Sequence, residues 1–191
     1  MKRSLVFILF ILATTAARAA DIGTTYVFTP DLSREGNPLM TALGFTGIIV
    51  LNSILLLVVS LLLLYWYRYP LQYRLPSDED NVWAFASLNY FGEEHPSQGF
   101  ALRFLSRNPR NWLMAAQMVA IQLPVVLVVG SSLAVFSWFA IHHWHWSWYN
   151  TVYGKTHFAF PYVFIIPFYV AATRWYFRNE HRRTLNEQND G

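Results

Sequence analysis

Between Ile48 and Leu64 the only polar residues are Asn52, Ser53 and Ser60. The surrounding run, Leu39 to Tyr67, exceeds the roughly 20 apolar residues that carry a helix across about 30 Å of hydrocarbon. It ends in Tyr65-Trp66-Tyr67-Arg68, an aromatic group and then a charge, as suits a membrane interface. A chain with such a run must satisfy its backbone within the segment, which in a lipid environment means a helix. Composition extends the argument to the whole protein: of 191 residues 54% are hydrophobic and 13% charged, the latter about half the share of a soluble domain. The expected fold is therefore all-α, a polytopic membrane helix bundle. A net charge of +3, with the basic residues scattered through short loops, gives nucleic acid no footprint. The absence of cysteine excludes disulfides, thiolate metal sites and cysteine nucleophiles.

Two further runs have the same character. Trp112 to Ile141 contains Gln117 and Gln122 near its start, Pro124 as an expected kink, and the small-residue patch Gly130-Ser131-Ser132, which suits close helix contact. Phe158 to Thr173 is shorter, with Pro161 near its start and Pro167 inside it. The N-terminus admits two readings. Lys2 and Arg3, the apolar stretch Leu5 to Ala13 and then Ala17-Arg18-Ala19 fit a secretory signal peptide cleaved after Ala19. Alternatively Ser4 to about Phe28 is one retained helix, with Arg18 and Asp21 three apart on one face and partly neutralising each other. The spans are then four, at about 4–28, 39–67, 112–141 and 158–173, or three if the first segment is removed.

From Asp21 the chain reads D-I-G-T-T, then nine residues, then E-G-N-P-L-M from Glu35 to Met40. Asp21, Thr24, Thr25, Glu35, Asn37, Pro38 and Leu39 have the spacing of a D-x-x-T-T … E-x-N-P-L signature. In this the chain resembles a family of small bacterial and archaeal multi-span membrane proteins of unknown function. The resemblance covers about residues 5–45. It implies that the first segment is retained as a helix carrying Asp21, and it implies no activity.

Loop charges orient the bundle. Lys2 and Arg3 belong inside; the loop from Thr29 to Asn37 sets Arg34 against Asp31 and Glu35 and belongs outside. The loop 68–111, with Arg68, Arg74, Arg103, Arg107 and Arg110, belongs inside, as does the C-terminus with Arg174, Arg178, Arg182 and Arg183. Both termini are thus expected on the cytoplasmic face of the cytoplasmic (inner) membrane. The loop 68–111 is too apolar for a linker, and its Trp, Phe and Leu residues beside arginines predict short amphipathic segments on the membrane surface. Residues 184–191 are polar and are expected to be a disordered tail.

Two constellations could carry chemistry. Asp21 is an ionisable group within a span, which by default marks a functional site. Its companion Glu35 precedes Asn37 and Pro38, whose N-cap and first-turn preferences equally describe the start of a helix. The second constellation is His142-His143-Trp144-His145, with His157 twelve residues on from His145. His142 and His145 share a helical face, and His143 and His145 an extended one, so either pair could give two imidazoles to a divalent metal such as zinc or copper. The topology puts these histidines on the outer side with Asp21 and Glu35, which could act as ligand or general base. The interleaved tryptophans equally describe an interfacial aromatic belt, and the spacing matches no H-E-x-x-H pattern. Phosphate-loop, dinucleotide and G-x-S-x-G motifs are absent from the sequence. The leading expectation is a membrane protein acting through helix packing or partner binding, with lipid and either its own copies or another membrane protein as partners. The alternative is an outward-facing metal site for transport or metal-dependent hydrolysis.

Overall fold

A computed structural model describes residues 3–33, 38–78, 80–93, 100–156 and 163–189; for residues 38–40, 101, 102 and 105 it describes the backbone alone. All regular structure among these residues is helical: α1 Arg3–Phe28, α2 Pro38–Arg68, α3 Val82–Phe91, α4 Phe100–Ser106, α5 Trp112–Trp138, α6 Ser147–Lys155 and α7 Ile165–Asn189, with a π-helical turn Phe139–His143 after α5. Three of them are long and apolar enough to cross a membrane: Arg3–Phe28, Thr41–Arg68 and Trp112–His143, the last including the π turn. Of the fourth expected span, residues 158–162 lie outside the described residues, and helix begins at Ile165.

The chain forms two units, Met1–Leu61 with Leu123–Tyr169, and Leu62–Gln122 with Val170–Gly191. In the first, α1 buries only Val6, Thr14 and Thr25, while Leu12 is 61% and Val27 72% exposed. Ile49, Val50, Ile54 and Leu57 of α2 are likewise exposed. Such faces are unfavourable in water and ordinary in hydrocarbon. Helix α2 is broken at Gly44, whose φ of +65° and ψ of 176° lie where side-chain-bearing residues rarely go. Past α5 the helix widens into the π turn, closed by Trp144 N–H donating to the Phe139 carbonyl five residues back at 2.9 Å, and His145 takes φ +52° before α6 begins. Ser137 Oγ donates to the Leu133 carbonyl at 2.7 Å, so the 2.7 Å contact between Ser137 Oγ and Tyr149 OH is donated by the tyrosine.

The second unit has a tighter core. Leu63, Trp66, Phe85, Met114, Ile121, Tyr176 and Phe177 are fully buried. Helix α3 starts at Asn81, whose side-chain oxygen accepts from Trp83 N–H and Ala84 N–H at 3.1 Å, and stops at Gly92 in the left-handed conformation, φ +79°. This segment, expected on the membrane surface, has Ala84, Phe85, Ala86, Ser87, Tyr90 and Phe91 inside the protein. The reason is a distant partner: Trp83 and Phe100 pack on Phe177, and Phe85 packs on His181. The segment after Trp66 is fastened by side chains that take the place of a partner strand. Gln117 donates to the Tyr69 carbonyl at 2.5 Å, Asn89 exchanges two bonds with the Arg74 backbone at 2.8 and 2.9 Å, and Tyr73 and Tyr176 share a 2.8 Å hydroxyl bond.

Arg183 closes this unit. It donates to the Leu71 carbonyl, to Glu180 at 2.9 Å and to Glu187 at 2.6 Å, and its guanidinium lies 5.7 Å from the Tyr73 ring centroid. Burial alone would pull the Arg183 pKa down, but Glu180 and Glu187 together hold it above the ordinary value, so it stays charged. With Thr184 buried and bonded to the Glu180 carbonyl at 2.9 Å, the segment from Thr184, expected as a disordered tail, is helical as far as Asn189. Because the Glu180 side chain is fully buried, Arg183→Ala is expected to cost about 3 kcal/mol, the range for breaking a buried pair. Denaturant unfolding in detergent, followed by tryptophan fluorescence, would show it; a cost under about 1 kcal/mol would mean a surface-type pair.

Candidate functional site

The charge that the sequence places within the first span is at the centre of a polar cluster in the first unit. One turn of α1 brings the Arg18 guanidinium onto the Asp21 carboxylate, Nη1 to Oδ2 2.7 Å, with both side chains 16% exposed. Arg18 then reaches beyond its own helix. Its Nε donates to Asn52 Oδ1 of α2 at 2.7 Å, its Nη2 donates to the same oxygen, and its Nη1 donates to Ser131 Oγ of α5 at 2.8 Å. Ser131 accepts that bond and donates its own proton to Asp21 Oδ2 at 3.2 Å, closing a ring. The Asn52 amide nitrogen donates to the Ile48 carbonyl at 2.8 Å. Every nitrogen of the guanidinium thus has an acceptor, and the cluster carries one positive and one negative charge.

The sequence shows the pair and the polarity of Asn52, but not the partners. Ser131 reads as a packing residue in G-S-S; here its hydroxyl completes the circuit. The Thr24 hydroxyl, which the signature places beside Asp21, goes to the Ala20 and Asp21 backbone carbonyls at 3.0 and 2.9 Å. Glu35 and Asn37 lie outside the described residues.

The histidines have aromatic company. The His142 ring stacks on Trp138 at 5.1 Å and on Phe28 at 5.7 Å, and His143 sits edge-on to Phe139 at 6.0 Å. Trp144, Trp146 and Trp148 form a ladder at 5.1 and 6.0 Å. His145 is exposed, and His157 lies outside the described residues. Among the described residues, no three of His, Asp and Glu are grouped to hold a metal ion. The tryptophan spacing was the available sign of this aromatic stack.

Asp31, past the end of α1, accepts from Ser33 N–H at 3.1 Å, Ser33 Oγ at 2.8 Å and Thr29 Oγ1 at 3.4 Å. The Ser33 backbone bond first, then its hydroxyl, lowers the Asp31 pKa below the ordinary 3.8. A lowered folded value means that the turn's stabilisation is present above the unfolded pKa and is lost as pH falls through the folded one. Ser33→Ala should move the Asp31 carboxyl back up toward 3.8 in an NMR titration; an unmoved midpoint would mean that the Ser33 hydroxyl has no hold on it.

For the cluster, Arg18→Ala leaves Asp21 with an uncompensated charge and should cost about 3 kcal/mol, and the double variant with Asp21→Asn should recover about 2 of it. Reversible unfolding in bicelles measures this coupling; strictly additive losses would mean that the two side chains act independently. In comparisons with known proteins, no family model matches this chain, nor does any curated protein or solved structure.

Proposed function

We propose that the chain is a multi-pass protein of the cytoplasmic membrane, with four spans and both termini inside, and that it acts through helix packing or the binding of a partner, its own copies or another membrane protein, rather than through chemistry of its own. The observation that carries this reading is the closure of the Arg18 cluster. The donors of this largely covered cation end on Asp21, Asn52 and Ser131, three groups on three helices. A working acid, base or ion site must instead present a group to its substrate. The exposed apolar faces of α1 and α2 supply the surface that lipid and partner helices would cover.

The same cluster supports a retained first span, as the resemblance to the D-x-x-T-T family implies. Cleavage after Ala19 would remove Arg18 and most of the helix that carries it, and with them the bonds to Asn52 and Ser131. The fourth span rests on the apolar run 158–173. The metal alternative keeps His142, His143, His145 and His157 as candidate ligands; the contact of the His142 ring with both Phe28 and Trp138, which also stack on each other, favours a packing role for that ring.

Crosslinking in native membranes followed by intact-mass analysis tests the reading. The expected result is a chain that retains Met1–Ala19 and is recovered joined to another membrane protein or to its own copies. Isolated monomers alone would overturn the partner role. Bound metal that disappears in His142→Ala/His145→Ala would overturn the non-catalytic reading in favour of the metal site.

A further inference from the structure

The second unit contains a cavity of about 520 Å³ between the start of α3 and one face of α7. Its walls carry opposite charges. Asp78, Asp80 and Asn81 stand on one side, Arg174 and Arg178 on the other, and Trp83 contributes an apolar surface. Asp78 meets Asn81 Nδ2 at 3.3 Å, and Asn81 is engaged in capping α3. Neither arginine has an ion-pair partner among the described residues. The two guanidiniums are one helical turn apart, close enough to repel each other unless an anion lies between them. Among the described residues the walls therefore hold two cations and two carboxylates facing one space with no ion pair joining them across it.

We infer that this cavity binds the phosphoethanolamine headgroup of a membrane phospholipid. A phosphodiester has two free oxygens that can accept from both guanidiniums, the geometry at which arginine excels. The primary ammonium, two carbons away, has three N–H donors for the carboxylates of Asp78 and Asp80. Neither an anionic headgroup nor a plain cation uses both walls, and a quaternary choline has no N–H to donate. The lipid rather than the free headgroup is favoured by position. Arg174 directly follows Thr173, the last residue of the apolar run 158–173, and a tryptophan wall is characteristic of the interfacial layer.

The assignment rests on the membrane reading above, and the two fail differently. Flotation of the full chain with vesicles tests the membrane reading; a chain that stays at the bottom sinks both. For a chain that floats, native mass spectrometry after release from nanodiscs of equal phosphatidylethanolamine, phosphatidylcholine and phosphatidylglycerol tests the headgroup. The expected result is one phosphatidylethanolamine retained per chain, about tenfold over either other lipid. Arg174→Gln/Arg178→Gln should abolish retention, and Asp78→Asn/Asp80→Asn should reduce phosphatidylethanolamine to the phosphatidylcholine level. Equal retention of the three lipids, or variants that keep the wild-type preference while retaining its helical circular dichroism, would overturn the site. Glycerophosphoethanolamine that binds as tightly as the lipid would assign the cavity to a soluble headgroup and overturn the lipid; its failure to compete at millimolar concentration supports the lipid.

Discussion

A guanidinium held among apolar helices is the interaction around which the first unit is built. Left alone at the middle of a span, arginine or aspartate costs at least about 3 kcal/mol each, and pairing them within one helix cancels their charge but not their hydrogen-bonding needs. Those needs are met by Asn52 and Ser131, from two other helices. The apolar faces of α1 have no comparable directional preference, because lipid tails solvate leucine as well as another leucine does. At Arg18 the position of α1 against α2 and α5 is thus specified by polar contacts, joined at its end by the rings of Tyr26 on Phe45 and Phe28 on Trp138.

The second unit is stabilised in a different manner. Its core is aromatic and closely packed, with Trp66, Phe85, Tyr176 and Phe177 fully buried. Its irregular segment, 69–77, lies beside the helices without strand or helix partners of its own. The Tyr69 and Leu71 carbonyls and the Arg74 backbone there are satisfied by the side chains of Gln117, Arg183 and Asn89, which gives these long polar residues a place beside a core otherwise made of rings.

How far the sequence disclosed this depends on whether the signal is local. The run 48–64 declares its helix, and the three-residue spacing of Arg18 and Asp21 declares their pairing, because both follow from one helix's geometry. The polarity of Asn52 and Gln122 marks them as interhelical donors or acceptors, and they bond to Arg18 and Thr173 respectively. Which group would face which was not legible: Ser131 is 113 residues from Arg18, and no periodicity encodes the order of helices in a bundle. The same holds for Trp83 and Phe85, whose amphipathic pattern fits a membrane surface until Phe177 and His181 are seen to cover them. At Gly44 the positive φ shows that backbone conformation, not close approach, demands the missing side chain, since an added Cβ would meet nothing within 4 Å.

The closing contacts of the second unit join residues very distant in the chain: Tyr73 to Tyr176 spans 103 positions and Leu71 to Arg183 spans 112. Synthesis proceeds from the N-terminus, so most of this core is made long before the helix that completes it. Until α7 emerges from the ribosome, Phe85 lacks His181, Trp83 lacks Phe177 and the 69–77 backbone lacks its last donor. Completion of this unit therefore waits for α7, with aromatic surface exposed in the interval and a dependence on the stretch 174–189 that its polar composition conceals.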